Sequence, residues 1–212
     1  MLPTDPRILW SVQLRLECKA VNDTGRIVRV PGDNPDGIAT CSVVRFVDGD
    51  QVVFCEDADD DLIARTSLLE PGLFFLDTEL AAQTVAGGRP TAVGCFHTYV
   101  FPETERQHPD VVRTGAEEYA CVVDGRAVSW ASSARSNSDA AELWVRTDPA
   151  FQRQGHGRRV AHAWAAEVMS AGKVAFYSHL HGNDASRRLA AQLGVVHVFD
   201  VATITLDGSA DR

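Results

Sequence analysis

The chain has 212 residues, is 45% hydrophobic and carries a net charge of −9, from 29 acids against 20 bases. A chain of this length buries about 70% of the surface its unfolded form exposes, room for one large core or two small ones. The acidic balance lacks the basic footprint of a nucleic-acid binder, and no apolar run nears the ~20 residues that span a bilayer, so neither nucleic acid nor a membrane is expected as partner.

The opening Met1-Leu2-Pro3-Thr4-Asp5-Pro6 has no basic segment followed by an apolar core, so no signal peptide is expected. The first 50 residues read as poor in helical pattern and rich in turn formers, with a loop at Pro31-Gly32-Asp33-Asn34-Pro35-Asp36-Gly37. Two short β-rich runs, Cys41 to Phe46 and Gln51 to Cys55, flank Asp48-Gly49 and predict a hairpin. Five acids crowd residues 56–61. They read as the acidic first turn of a helix whose apolar positions are Leu62, Ile63, Leu68 and Leu69, since the helix dipole stabilises acids there. Pro71-Gly72 stops that helix, and a second one is predicted from Asp77 to Ala86, ending at Gly87-Gly88. Ala92 to Phe101 reads as a strand with Cys95, His97 and Tyr99 on one face, His97 being an ordinary strand histidine.

From Tyr119 the pattern changes. Tyr119 to Val123 and Arg126 to Ser133 flank a second Asp-Gly turn, and Ala141 to Thr147 is a further strand. A loop, a helix, a strand (Val174 to Ser178), a helix and two strands (Val195 to Phe199, Ala202 to Leu206) follow. Strands alternating with helices predict an α/β sheet of mixed direction. Cys18, Cys41, Cys55, Cys95 and Cys121 are odd in number and widely spaced, with no Cys-x-x-Cys. No disulfide framework or zinc site is expected, and a reducing, cytoplasmic setting is.

The chemically informative stretch runs from Val145 to Val160. It reads as strand, turn, glycine loop and helix. Val160, Trp164 and Val168 recur every four residues, and Gly172 stands where a left-handed cap belongs. The helix therefore starts near Gly155–Gly157. Unpaired N–H groups at a helix start, with glycines that admit a bulky anion, suit a pyrophosphate. Arg153, Arg158 and Arg159 add charge. A dinucleotide fingerprint needs glycine at position 160, where Val160 stands, and no Gly-Lys-Ser/Thr is present, so Rossmann and P-loop readings fail. Downstream, Asn183 caps and Gly194 ends a short helix that turns Leu189 and Leu193 to the core.

Together the two elements resemble the GNAT superfamily of N-acetyltransferases, over roughly residues 117–207. Gln152, Gly155 and Gly157 match the family's Gln/Arg-x-x-Gly-x-Gly/Ala loop, and Val145 and Pro149 its Val-x-x-x-Pro lead-in. Asn183, Ser186 and Gly194 match its second motif. The resemblance implies a GNAT α/β fold with a mixed central sheet. Residues 116–212 would form the core, and 1–115 an N-terminal α/β extension that includes the fold's first strand and helices. It implies acetyl-coenzyme A (acetyl-CoA) as co-substrate, no metal, and an amine acceptor, a small molecule or a peptide, in a monomer or homodimer.

By position, the backbone of Val145 and Thr147 would pair with the pantetheine arm. N–H groups of Arg153, Gln154, Gly155, His156, Gly157 and Arg158 would hold the pyrophosphate. Asn183 would contact the pantetheine, and Ser186 and Arg187 would lie near the cofactor's other end. The family's general-acid tyrosine has no counterpart, because Ala190 stands at its position. The acceptor ammonium must still lose a proton. Glu142 is the expected base, directly or through water, with His179 and His181 as alternatives and Tyr119 and Tyr177 as acid candidates. The competing expectation is an acetyl-CoA-binding regulatory module without catalysis.

Overall fold

The computed structural model describes residues 4–30, 38–89, 91–102 and 108–206. The loop expected at 31–37 lies outside them. Contacts divide the described residues into two compact units, 5–97 with 198–206, and 98–197 with Thr4. The chain leaves the first unit inside one strand and returns to it inside another. That division falls elsewhere than the cut at 115/116 drawn from sequence.

In the first unit, residues 6–16 are helical where none was expected. Asp5 Oδ1 accepts from Arg7 N at 2.8 Å, and Pro6 opens α1 (Pro6–Leu16), where its missing N–H leaves nothing unsatisfied. The apolar residues at 9, 10, 12, 14 and 16 blur helical and alternating periods, which hid the helix. β1 (Lys19–Val21) and β2 (Ile27–Arg29) form a small antiparallel pair. The first Asp-Gly hairpin is present as β3 (Cys41–Phe46) and β4 (Gly49–Phe54), with Phe46 opposite Gly49.

Asp59, inside the acidic run, caps α2 (Asp60–Ser67) by accepting from Leu62 N at 2.6 Å. Leu62 is fully buried, but Leu68 is 85% exposed and stands outside the helix, correcting its placement on the apolar face. One short helix, α3 (Leu73–Leu76), was not anticipated; α4 (Thr78–Ala86) was, with Asp77 at its start and left-handed Gly87 at its end. The strand order of this unit is β4, β3, β11, β5, where β5 is Thr91–Val100 and β11 is Val196–Leu206. β11 is one unbroken strand rather than two. Asp200 and Val201 remain paired with Arg45 and Val44, so ladder hydrogen bonds hold the chain straight where the sequence suggested a break. Cys41, Val43, Leu62, Phe74, Val85 and Ile204 form the core.

The second unit carries β6 (Val111–Gly115), β7 (Glu118–Val123), β8 (Arg126–Ser136), β9 (Ala140–Thr147), α5 (His156–Ser170), β10 (Val174–Leu180) and α6 (Asp184–Leu193). Its strands lie in the order β10, β9, β8, β7, β6. β9 and β10 are parallel and the others antiparallel, so the sheet is mixed, as expected. The α5 residues Val160, Trp164 and Val168, predicted on one face, are all fully buried. They pack against Ala131, Ala141, Leu143, Ala175 and Tyr177 on one side of the sheet, with Ala190 and Leu193 of α6. No helix among the described residues is long and apolar enough to cross a membrane.

Candidate functional site: a strand fork and a glycine loop

β9 and β10 pair only from Ala140–Val174 to Glu142–Phe176, and β9 then runs on for five residues to Thr147. The two strands form a fork. Antiparallel pairing alternates bonded and non-bonded residue pairs. Asp148 N donates to Val128 O, which makes the even-numbered residues of β9 the ones bonded to β8. The backbone groups of Val145 and Thr147 therefore point away from β8, into the fork.

The chain leaves β9 through a single 3-10 turn at Pro149–Phe151, capped by Asp148 Oδ1 on Ala150 N, and enters the loop. Arg153 (φ 61°) and Gly155 (φ 79°) are both left-handed, a conformation glycine adopts without strain and arginine does not. Gly155 is the last residue before α5. A Cβ at Gly157 would lie 3.1 Å from Thr147 Oγ1, so glycine there lets the helix start lie against the strand end. The resulting groove, about 800 Å³, is lined by Val145 and Thr147 of β9, by the 151–158 loop and, on its far side, by Ala185, Ser186 and Leu189 of α6. Gln152, Arg153, Gly155, His156, Gly157 and Arg158 line it too; Gln154 stands behind, 3.4 Å from His156 Nε2.

Asn183 is exposed, and its Oδ1 accepts from Ser186 N at 3.1 Å, capping α6 as expected. Gly194 ends that helix in the left-handed region. Glu142 is buried at the last paired position before the fork. Its Oε2 accepts from Arg135 Nη1 at 2.5 Å, a partner on β8 that the sequence reading did not name. A bulge between Ser133 and Arg135 brings that arginine opposite Glu142, and nothing in the sequence marks it.

His179 and His181 part company. His179 is buried and donates from Nδ1 to Leu180 O at 3.0 Å, and its ring stacks on Tyr99 with centroids 5.5 Å apart. His197 meets the edge of the same Tyr99. His181 is exposed in the turn after β10. Tyr177 is buried, and its hydroxyl donates to Ser186 O at 3.3 Å; burial pushes that phenol up. Tyr119 is also pushed up by burial, and Glu167 beside it reinforces the shift. Ala190 is buried in the α5–α6 core. In the first unit, His97 lies on a strand, as expected, and pairs with Asp200 at 2.7 Å.

Residues 118–202 match the family described as GNAT acetyltransferase. Along nearly its whole length the chain is similar to a GCN5-related N-acetyltransferase from Kribbella flavida. That match has a TM-score of 0.51 and 14% identity over 99% of this chain and 98% of that one. A GNAT-family acetyltransferase from Colwellia psychrerythraea gives 0.48 and 11% over 89% and 80%. A GNAT-family structure from Novosphingobium aromaticivorans gives 0.46 and 18% over 57% and 68%. No curated protein matches the chain.

Proposed function

With residues 118–202 forming a GNAT acetyltransferase segment on a fold of that family, we propose that this chain transfers the acetyl group of acetyl-CoA to an amine. One observation carries the reading: the fork and the glycine loop make a single groove, with fork-facing backbone groups at one end and a helix start at the other. The residues fit the ligand. The N–H groups and positive dipole at the start of α5 suit the pyrophosphate, and a side chain at position 157 would narrow the groove beside Thr147. Val145 and Thr147 offer amide groups to the pantetheine.

In the proposed transfer, the amine nitrogen forms a bond to the thioester carbonyl carbon and the carbon–sulfur bond breaks. The Val145 N–H stabilises the oxyanion between the two events. The amine loses a proton and coenzyme A leaves as thiolate, which a thiol of ordinary pKa near ~8.5 allows without an acid at position 190. Glu142 is the base we favour. Its Oε2 is held by Arg135, so proton uptake falls to Oε1, directly or through water. Exposed His181 and buried His179 are the alternatives. The transfer needs no metal and no covalent enzyme intermediate. The acceptor is a small-molecule or peptide amine, and five free thiols suit a reducing, cytoplasmic setting.

Two features favour a second reading, an acetyl-CoA-binding module that does not turn over: Ala190 carries no hydroxyl, and Glu142 is committed to an ion pair. Thiol release from acetyl-CoA with a panel of small amines, free lysine and peptide amino termini separates the two. Release above the hydrolysis background is expected with at least one amine class. Tight binding with no release across the panel would establish the binding module instead.

A further inference from the structure

The backbone of the 152–158 loop accounts for the expected pyrophosphate contacts, but not for what its one buried polar side chain does. His156 is the first residue of α5 and is 6% exposed. Its Nδ1 lies 2.5 Å from Arg159 Nη2 and 3.3 Å from Cys121 Sγ of β7, and its Nε2 lies 3.4 Å from Gln154 Oε1. A guanidinium nitrogen can only donate. Nδ1 is therefore the acceptor, and the proton sits on Nε2, where the Gln154 amide oxygen can receive it. Arg159 also donates from Nη1 to the Gln154 carbonyl at 3.4 Å, and the same Nη1 is 3.4 Å from where a Gly155 Cβ would stand. The guanidinium thus lies against the loop backbone, held at one end by the loop and at the other by His156.

We infer that His156 is a positioning residue: its uncharged imidazole holds the Arg159 guanidinium against the loop and so sets the loop amides that receive the pyrophosphate. This rests on the acetyl-CoA reading of the groove. Burial, and then the Arg159 charge, hold the imidazole below the ordinary histidine range; His108 acts the same way and Asp110 opposes them. Cys121, Gln154 and the Phe151 ring, 6.2 Å away, also face it. Protonation would place an Nδ1–H against a guanidinium that can only donate, two cations face to face, and the brace would open. The sign is set by the lowered position. The brace is complete above the usual histidine pKa near ~6.5 and is lost as pH falls through the folded-state value.

A direct role would behave in the opposite way. If His156 met the pyrophosphate as a cation, acetyl-CoA affinity would rise toward acid pH. The test measures acetyl-CoA affinity by calorimetry from pH 8 to 5.5 for the wild type, His156→Asn and Arg159→Met. Asparagine keeps an acceptor near the Nδ1 position and does not titrate. We expect the affinity of His156→Asn, whatever its value at pH 8, to change less with pH than that of the wild type, which should weaken by about three- to tenfold more toward pH 5.5, the worth of one ordinary hydrogen bond. Arg159→Met should bind more weakly at pH 8 and lose that extra slope. Parallel curves for wild type and His156→Asn, or a wild type that binds relatively better in acid, would overturn the role. Nitrogen-15 imidazole spectra of the ligand-free protein supply an independent arm. They should show an Nε2–H tautomer that titrates below ordinary histidine, and an Nδ1–H tautomer rejects the brace whatever the ligand does. A wild type that binds no acetyl-CoA at pH 8 removes the cofactor reading itself and leaves the spectra to decide the His156–Arg159 contact.

Discussion

At the scale of single residues, the site depends on charges placed by neighbours. Glu142→Gln should lower turnover at neutral pH by at least ~100-fold with acetyl-CoA affinity kept, because a general base contributes about 100- to 10,000-fold. The loss should shrink as pH nears the amine's own pKa. Wild-type turnover from pH 6 to 9 would move the role to the histidines. The pair with Arg135 adds a second observable. Arg135→Met leaves a buried carboxylate without its cation, and the variant should lose about 1–3 kcal/mol in denaturant unfolding, between the values for exposed and fully buried pairs. Glu117 behaves differently, because it serves the fold. Burial alone would raise its carboxyl, but Lys173 at 2.7 Å and the Ser133 hydroxyl outweigh burial and hold it below the usual range. A lowered carboxyl stabilises the fold above its unfolded pKa near ~4.3 and loses that contribution as pH falls through the folded value. Glu117→Gln should therefore flatten the acid limb of the stability–pH curve, and an unchanged limb would show that other groups set it.

At the scale of elements, one glycine and one cap separate binding from stability. Gly157→Ala sets a Cβ 3.1 Å from Thr147 Oγ1, so the start of α5 must shift by a few tenths of an ångström. Position 157 is not left-handed, and alanine suits a helix better than glycine. The expected result is a melting temperature near wild type with acetyl-CoA affinity weakened by about tenfold or more. A weakened fold with intact affinity would place the role of Gly157 in packing alone. Asn183→Asp keeps the oxygen that caps α6, since asparagine and aspartate cap about equally well. Its stability should therefore hold. Lower acetyl-CoA affinity would mark Asn183 as a pantetheine contact, and unchanged affinity would restrict it to capping. The α6 groove wall, Ala185, Ser186 and Leu189, was legible in part. Its spacing of three to four residues was visible, but which face meets the fork is decided by Ala190 and Leu193 entering the core.

At the scale of the whole molecule, the five cysteines report on burial. Cys41, Cys55 and Cys121 are buried and Cys18 and Cys95 half-buried, all as free thiols. Burial pushes the Cys41 thiol up to about 12, and raises Cys55 and Cys95 as well. A thiol reagent at neutral pH should modify Cys18 first, then Cys95 more slowly, and reach all five only after denaturation. Rapid modification of Cys41 in the native protein would contradict the packing of the first unit's core.

The sequence by itself determined the local features of this protein. Both Asp-Gly hairpins, the Asp59, Asp77 and Asn183 caps, the Gly87 and Gly194 ends and the α5 core face follow from interactions spanning about one turn, so a short window holds all the information needed. The glycine loop belongs with them, because the conformation of Gly155 and the helix start beside it are local. Tertiary structure decided what depends on distant partners. β11 stays straight because β3 pairs along it, although the sequence there reads as two strands. The fork exists because β10 parts from β9 after Glu142, and a strand's sequence does not state where its neighbour leaves it. The bulge that brings Arg135 to Glu142, and the packing that brings Cys121 to His156 across 35 positions, join residues that no periodicity links. A side chain's chemistry can be read from its type, but its charge state and its task depend on neighbours that only folding supplies.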